Sequence, residues 1–223
     1  MLRYAQLICM FVHMNIHHLS VSKTARYVSL GELNQHTTEV WIVLHGYAQL
    51  ATDFIQEFKA LDNGSRYIVA PEGLNRFYAK GFGGKPAATW MTSEDREKEI
   101  PDYINYLDTL YEHLGLGNLK AKVVVLGFSQ GVATASRWLN ATVHAVNHWV
   151  ICSGEIGLEF QQEPTTQLIG IPKTYITGDI DPFIDAEKHT RYKELMDKMG
   201  AETLVFTGGH HIHAESLSKV QLA

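Results

Sequence analysis

The sequence predicts an α/β protein with a mostly parallel central sheet and helices on both faces. Segments of strand length alternate with amphipathic segments of helix length along most of the chain, which is the usual pattern of a parallel sheet with helical crossovers. Residues 40–44 are apolar at every position, as in a strand that is buried on both faces. The pentapeptide GFSQG at 127–131 joins a β-branched strand, residues 121–126, to a helix-compatible segment, residues 132–139.

Length and composition predict one domain. The chain has 223 residues, of which 45% are hydrophobic, enough to build one well-buried core. We therefore expect residues 15–223 to form a single domain. Residues 1–14 are expected to be an extension that is either disordered or precedes a true start at Met14. The short apolar run at 7–12 leaves a signal peptide open as well, but it is too short to span a bilayer.

Charge and cysteine content limit the partners and the compartment. The net charge is -5 and no long run of one sign occurs, which argues against a nucleic-acid partner and a polybasic membrane-binding patch. Two cysteines, Cys9 and Cys152, are too few for a disulfide framework. We expect them to be free thiols in the cytoplasm. The sequence does not set the oligomeric state, and a homodimer stays open.

The N-terminal half contains several predicted strands and one long connection. Residues 19–23 and 25–30 alternate in polarity, which predicts an N-terminal antiparallel hairpin. Residues 53–61 have the spacing of an amphipathic helix, and residues 66–70 form a short strand that ends at a proline. The segment 72–92, rich in glycine and aromatic residues, is predicted to be irregular. Such a connection is usually functional, although a surface loop that packs its own aromatic residues has the same pattern.

The remaining elements alternate regularly. A helix with its N-cap at Ser93 is predicted to extend to about residue 114, because Glu94 and Asp95 would lie in its first turn, where the helix dipole favours anions. Strands are predicted at 143–152, 173–177 and 203–206, a polar loop at 153–169, and helices at 187–199 and 214–222. In such a sheet the reactive groups gather at the carboxyl ends of the strands.

The pentapeptide places Ser129 at a strand-to-helix turn. A serine there must adopt a strained backbone, and glycines two residues to either side let the strand and helix approach closely, as at the nucleophile of an α/β-hydrolase. An imidazole must then remove the serine proton, and a carboxylate must hold that imidazole in one tautomer. Candidates follow in the order Ser, Asp, His that is typical of α/β-hydrolases. They are Asp179 and Asp181, then His210, His211 and His213.

Backbone N–H groups are needed to stabilise the oxyanion of the tetrahedral intermediate, and each contributes about 3 kcal/mol. One donor is expected at Gln130, because it directly follows the nucleophile. The other is expected in the loop after the strand at 40–44, at Tyr47.

The sequence resembles the phospholipase/carboxylesterase group of the α/β-hydrolases, which includes bacterial carboxylesterases and acyl-protein thioesterases. The resemblance runs from residue 40 to the chain end and rests on LHGY at 44–47, GFSQG at 127–131, GDIDPFI at 178–184 and GGH at 208–210. It implies that Ser129 is the nucleophile, that Asp181 in a Gly-x-x-Asp-Pro pattern is the acid, and that His210 after the paired glycines is the base. It also implies oxyanion donors at Tyr47 and Gln130.

Three points depart from the family pattern or stay open. Tyr47 stands where the family usually has a small apolar residue, often leucine, and would narrow the acyl entrance. Asp179 remains a rival acid, since it lies two residues before Asp181. His211 and His213 are additional imidazoles, and the His-His-x-His cluster is an alternative metal site, although it lacks the HExxH spacing or a cysteine pair. His45 is expected to be structural.

The predicted reaction is hydrolysis of a small-molecule ester or acyl-thioester through an acyl-enzyme, without a metal or organic cofactor. Carboxylic esters with short or medium acyl chains are favoured as substrates. Trp90 and Met91, which resemble the substrate-side loop of the family, and Phe183 are candidate pocket residues, although each is equally compatible with the core. An acyl-protein thioesterase, a lysophospholipase and a catalytically silent binding module stay open as alternatives.

Overall fold

The helices and strands follow one another in the alternating order that the sequence predicts. The computed structural model describes residues 14–222. Its strands are β1 (Tyr27–Leu30), β2 (Glu39–Leu44), β3 (Arg66–Pro71), β4 (Asn75–Phe82), β5 (Pro86–Thr89), β6 (Lys122–Phe128), β7 (His148–Cys152), β8 (Lys173–Gly178) and β9 (Glu202–Phe206). Its α-helices are α1 (Ala51–Phe54), α2 (Arg96–His113), α3 (Gln130–Ala141), α4 (Thr166–Gly170), α5 (Ala186–Lys198) and α6 (Ala214–Ser218), and Ile55–Leu61, Leu116–Asn118 and Leu158–Phe160 form 3₁₀ helices.

Within residues 14–222, seven strands form the central sheet in the order β1-β3-β2-β6-β7-β8-β9. β1 is antiparallel to β3, and the other neighbouring strands of this sheet are parallel. β4 and β5 form a separate antiparallel hairpin. The predicted α/β architecture is therefore confirmed. The six strands β3, β2, β6, β7, β8 and β9 run parallel to one another. The loops that follow them therefore lie at one edge of the sheet.

Helices bury both faces of the sheet. In β2, Val40 and Ile42 pack into one layer with α2, α3 and α5. Trp41 and Val43 pack into the opposite layer with α1, the following 3₁₀ helix and α6. Each face of β2 is thus covered by apolar side chains, which explains why residues 40–44 are apolar without alternation.

The predicted N-terminal hairpin is wrong. Residues 19–23 form no strand in the described chain, and β1 pairs with β3 instead, with Val28 opposite Ala70. The Arg26 guanidinium lies 2.6 Å from the carboxylate of Glu72, whose side chain is fully buried directly after β3. A buried carboxylate requires a paired cation, so this ion pair holds the chain beside β3 just before β1 begins.

The segment predicted to be irregular, 72–92, contains the β4–β5 hairpin, with Phe77 opposite Ala87. The helix predicted to follow a Ser93 N-cap begins at Arg96 instead. Asp95 precedes it with a φ of 51°, in the left-handed region, so the right-handed helix cannot start earlier.

Other predicted boundaries are also corrected. β7 is shorter at its start than the strand predicted at 143–152, and α6 ends before the predicted helix at 214–222 does. The predicted polar loop at 153–169 contains a 3₁₀ helix and the start of α4.

Two further predictions concern the chain ends and cysteines. The proposals for residues 1–13, which include Cys9 and the signal peptide, lie outside the described residues. Cys152 is a buried free thiol, and burial raises the pKa of this thiol to about 12. No helix of the described chain has both the length and the hydrophobicity needed to cross a bilayer.

Candidate active site

Chemically reactive side chains collect at the carboxyl edge of the sheet. The register places Leu44 of β2 opposite Gly127 of β6, and Phe128 of β6 opposite Cys152 of β7. On the far side of β7, Gly178 of β8 lies opposite Phe206 of β9. These strands therefore end at similar heights, so the loops that carry the candidate residues are neighbours.

Ser129 occupies the tight turn between β6 and α3. Its backbone has a φ of 52° and a ψ of -118°, a conformation that non-glycine residues rarely adopt. Such strain costs about 1–3 kcal/mol and must be held by the surroundings. The Ser129 N–H donates to the carbonyl of Cys152 at 3.0 Å, which ties the turn to the end of β7. The predicted strained turn is therefore present at this serine.

The two glycines of the pentapeptide allow this turn by close packing. A Cβ atom at Gly131 would lie 2.1 Å from the carbonyl oxygen of Leu44, and one at Gly127 would lie 2.5 Å from the oxygen of Gly131. Both distances are far below van der Waals contact. The absence of side chains here lets α3 begin directly against β2 and β6.

Asp181 and His210 form a hydrogen-bonded pair beside this turn. Nδ1 of His210 lies 2.7 Å from Oδ2 of Asp181, whose side chain is fully buried. The other carboxylate oxygen, Oδ1, accepts from the N–H of Phe183 at 3.0 Å. An ionised carboxylate only accepts hydrogen bonds, so Nδ1 of His210 carries the proton. Nε2 is then left with a free lone pair, as a general base requires.

Asp179, the rival acid, has a different contact. Its Oδ1 accepts from the N–H of Gly208 at 2.9 Å, and its own N–H donates to Phe206 at 3.0 Å. The residue is exposed, and it connects the loop after β8 to the loop after β9. This contact supports the position of the His210 loop without touching the imidazole.

The other two histidines of the cluster point elsewhere. The ring of His213 stacks on Phe206, with centroids 4.5 Å apart, and its Nδ1 lies 2.8 Å from the hydroxyl of Ser216 at the start of α6. His211 contacts Phe206 edge-on. Among the described residues, no group of three or more His, Cys, Asp or Glu side chains is arranged to hold a metal ion.

The two expected oxyanion donors lie at the same opening. Tyr47 and Gln130 line a cavity of about 560 Å³ together with Ser129 and His210. Within residues 14–222 the N–H groups of Tyr47 and Gln130 donate no hydrogen bond to the protein. They are therefore free to bind a substrate oxygen.

Trp90 and Met91 do not line this cavity, so their predicted pocket role is corrected. Trp90 is buried, and its indole N–H donates to the carbonyl of His45 at 2.9 Å. Met91 accepts from the side-chain amide of Gln130 at 2.9 Å through its carbonyl oxygen. The same amide accepts from the N–H of Trp90 at 3.2 Å and from the hydroxyl of Thr89 at 3.0 Å. Residues 89–91 therefore hold the side chain of Gln130 in place from outside the cavity.

His45 has the structural position that the sequence predicts. It is fully buried, and its Nε2 accepts from the N–H of Gly73 at 2.9 Å. The proton is therefore on Nδ1, which donates to the carbonyl of Gly46 at 2.7 Å. Burial lowers the pKa of His45, which keeps the ring neutral. Its contacts hold the loop that carries Tyr47.

Comparison with known proteins gives the family. A family model described as Phospholipase/Carboxylesterase matches residues 27–222. The chain belongs to the phospholipase/carboxylesterase family. It is thus a hydrolase of the phospholipase/carboxylesterase type. No curated protein matched the sequence.

Solved structures with a similar fold include three enzymes. Esterase PE8 has 20% identity and a TM-score of 0.65, with coverage of 88% of this chain and 95% of that chain. Acyl-protein thioesterase 2 of Zea mays has 18% identity and a TM-score of 0.62, covering 88% and 96%. The carboxylesterase of Bacillus cereus has 14% identity and a TM-score of 0.60, covering 87% and 91%. These similarities support the α/β-hydrolase fold.

Several residues that line the cavity were not predicted from the sequence. Phe183, a candidate pocket residue, lines the cavity, and its ring contacts His210 edge-on with centroids 4.7 Å apart. Gln49, Ile184 and Glu155 also line it. Glu155 follows the end of β7, and the rule that reactive groups follow parallel strands is the signal that identifies this position.

Proposed function

We propose that this protein hydrolyses carboxylic esters with short or medium acyl chains through a Ser129–His210–Asp181 triad. The observation that carries the proposal is the 2.7 Å hydrogen bond between Asp181 and His210 at a cavity that also contains the strained Ser129. A carboxylate on Nδ1 leaves Nε2 of the imidazole as a base. The family supplies the reaction class, and these contacts support the assignment of roles within it.

In the first half of the reaction, the Oγ of Ser129 attacks the carbonyl carbon of the ester. Nε2 of His210 takes the hydroxyl proton, and the ionised Asp181 stabilises the resulting imidazolium. The N–H groups of Tyr47 and Gln130 hold the negative charge that develops on the carbonyl oxygen. Collapse of the intermediate breaks the ester bond, and His210 returns the proton to the departing alcohol.

In the second half, water hydrolyses the acyl-enzyme. His210 removes a proton from the water as it attacks the acyl carbon, which regenerates the oxyanion in the same position. Collapse then releases the carboxylic acid and returns the proton to Ser129. The lining of the cavity is mostly apolar and includes Phe128, Phe183 and Ile184, so it suits an acyl chain of modest size.

The test is covalent labelling by a fluorophosphonate probe, read by intact mass. We expect one adduct on the wild-type protein and none on Ser129→Ala. Ser218→Ala is the matched control, because Ser218 is exposed on α6 and its hydroxyl donates to Glu215. It should be labelled like the wild type. An unlabelled wild type would instead support the catalytically silent binding module, and equal labelling of Ser129→Ala would show that Ser129 is not the nucleophile.

Substrate class is tested with matched oxygen esters and thioesters over a range of acyl lengths. We expect turnover of short and medium oxygen esters, and the activity should disappear in Ser129→Ala. A strong preference for thioesters or for lysophospholipids would replace the ester assignment by the acyl-protein thioesterase or lysophospholipase alternative without changing the triad.

A further inference from the structure

Glu155 brings a carboxylate next to the nucleophile turn. It lines the cavity that contains Ser129 and His210. The residue before it, Gly154, packs so closely on the turn that a Cβ there would lie 2.4 Å from the carbonyl oxygen of Ser129. The direct chain connection therefore places Glu155 at the wall of the cavity in which a substrate would bind.

The carboxylate of Glu155 is oriented but has no cationic partner in the described chain. The side-chain amide of Gln161 donates to Oε2 of Glu155 at 3.2 Å and to the carbonyl of Ile156 at 3.1 Å. The nearby Glu159 differs, because it forms a double hydrogen bond with Arg137. Lysine and arginine are absent from the described lining of the cavity. The charge of Glu155 is thus available to a ligand.

Aromatic rings stand at the same opening. Tyr47 is 59% exposed and Phe183 is 67% exposed, and both line the cavity with Glu155. The faces of aromatic rings attract cations, and quaternary ammonium groups are commonly bound by such rings. A carboxylate together with two exposed rings forms a surface that suits an ammonium group better than it suits an anion.

We propose that Glu155 is a specificity-determining residue that makes this site prefer esters carrying an ammonium group. This inference rests on the proposed ester hydrolysis. The ammonium group would lie beside Glu155 and the rings of Tyr47 and Phe183, in either the alcohol or the acyl part of the ester. The carboxylate of Glu155, which is half-buried and has no cationic partner in the described chain, gains a counterion when such a substrate binds. Anionic esters are disfavoured by the same charge.

The experiment compares ester pairs that differ in charge and have nearly the same shape. In the alcohol pair, choline butyrate is compared with 3,3-dimethylbutyl butyrate. In the acyl pair, p-nitrophenyl 4-(trimethylammonio)butanoate is compared with p-nitrophenyl 5,5-dimethylhexanoate. The measured quantity is the ratio of kcat/KM for the cationic ester to kcat/KM for the neutral one. Dividing the wild-type ratio by that of Glu155→Gln removes the intrinsic reactivity of the esters.

For at least one pair, we expect the wild-type ratio to exceed the Glu155→Gln ratio by about tenfold. Glu155→Lys should lower the ratio further, because it reverses the charge. Glu57→Gln is the matched control, since Glu57 is an exposed carboxylate that does not line the cavity, and it should keep the wild-type ratio. Equal ratios in wild type and Glu155→Gln for both pairs overturn the inference.

Two readouts separate this inference from the proposed function. Hydrolysis of the neutral esters that requires Ser129 tests the function alone, so an unchanged charge ratio with active enzyme rejects only the role of Glu155. If neither ester is hydrolysed, both proposals fail. A second experiment uses only the wild-type protein, so it tests the inference even if the Glu155 variants do not fold. Choline should inhibit neutral-ester hydrolysis more strongly than 3,3-dimethylbutanol, and added salt should weaken this difference. Equal inhibition by the two alcohols overturns the inference.

Discussion

The side-chain amide of Gln130 donates a hydrogen bond to the carbonyl oxygen of Met91 at 2.9 Å. The oxygen of the same amide accepts from Thr89 and from the N–H of Trp90. Gln130 is the first residue of α3, so these bonds connect the start of the helix to the chain after β5. Residues 89–91 therefore position the proposed oxyanion donor, although they do not line the cavity.

Gln130→Ala should weaken both folding and catalysis. The change leaves the N–H of Trp90 without its acceptor and removes one of the two donors to the carbonyl of Met91, which we expect to lower the free energy of unfolding by about 2 kcal/mol. Misplacement of the Gln130 N–H should reduce kcat by about tenfold or more, with a smaller change in KM. Denaturant unfolding and steady-state kinetics measure the two effects. Gln56→Ala, which removes an exposed amide bonded to Thr52, is the control and should change neither.

Asp181→Asn should lower kcat by about a thousandfold or more, because an amide cannot hold His210 in the required tautomer or stabilise its charged form. Asp179→Asn retains an oxygen that can accept from Gly208, so we expect only a few-fold loss. The comparison is made by kcat/KM on one ester, with circular dichroism to verify folding. A larger loss in Asp179→Asn than in Asp181→Asn would show that the acid has been assigned to the wrong aspartate.

We expect the ring of Tyr47 to narrow the opening of the cavity and so to limit the length of the acyl chain that the site accepts. The ring stacks on Phe77 with centroids 5.4 Å apart and stands at the edge of the cavity. We expect Tyr47→Leu to raise the kcat/KM for octanoate relative to butyrate by about fivefold, because a smaller side chain leaves room for additional methylenes. Tyr78→Leu is the control, because Tyr78 is also largely exposed but lies outside the cavity lining. A similar shift in both variants would contradict the assignment.

The fold was predictable from local patterns, and the errors have identifiable physical causes. The continuous apolar strand at 40–44 and the glycines around Ser129 report local requirements, and the structure has both features. The N-terminal hairpin was wrong because its outcome depends on an ion pair between Arg26 and Glu72, which are 46 positions apart. Alternating polarity in a short segment contains no information on such a contact.

The site was less predictable than the fold. Hydrophobicity alone does not distinguish a cavity wall from the core, so Trp90 and Met91 were assigned to a pocket that they support from behind. Glu155 belongs to no motif, and its position shortly after a parallel strand is the one signal in the sequence that it reaches the cavity. The choice of Asp181 and His210 depended on a family pattern, and their catalytic roles stay a prediction.

Gly131→Ala should prevent the nucleophile turn from forming. The new methyl group would collide with the backbone oxygen of Leu44, which belongs to a central strand and cannot move aside. We expect a loss of about 3 kcal/mol or more in the free energy of unfolding, together with loss of probe labelling. Gly170→Ala is the control, because a Cβ there meets no atom within 4 Å. It should be neutral or slightly stabilising in a denaturant titration.

Lys173 should make the free energy of unfolding depend on pH in the alkaline range. It is 4% exposed at the start of β8, and its Nζ donates to the carbonyls of Ile169 at 3.0 Å and Met199 at 2.9 Å. Burial lowers the pKa of Lys173 to about 8. An unfolded lysine has a pKa of about 10.4, so between these values the unfolded chain binds more protons than the folded one. Stability contributed by this group therefore rises as the pH increases from about 8 to about 10.4.

The measurement compares denaturant unfolding of the wild type and Lys173→Met at several pH values. Below pH 8 the folded lysine is charged and its burial penalty is constant, so the difference between the two proteins should not vary. From about pH 8 to 10.4 the wild type should gain up to about 3 kcal/mol relative to the variant, because the folded protein no longer buries a charge. Lys193→Met, on the exposed side of α5, should follow the wild type. Parallel pH profiles for wild type and Lys173→Met would contradict the lowered pKa, and would mean that the two carbonyl contacts or water replace the normal solvent environment of the ammonium group.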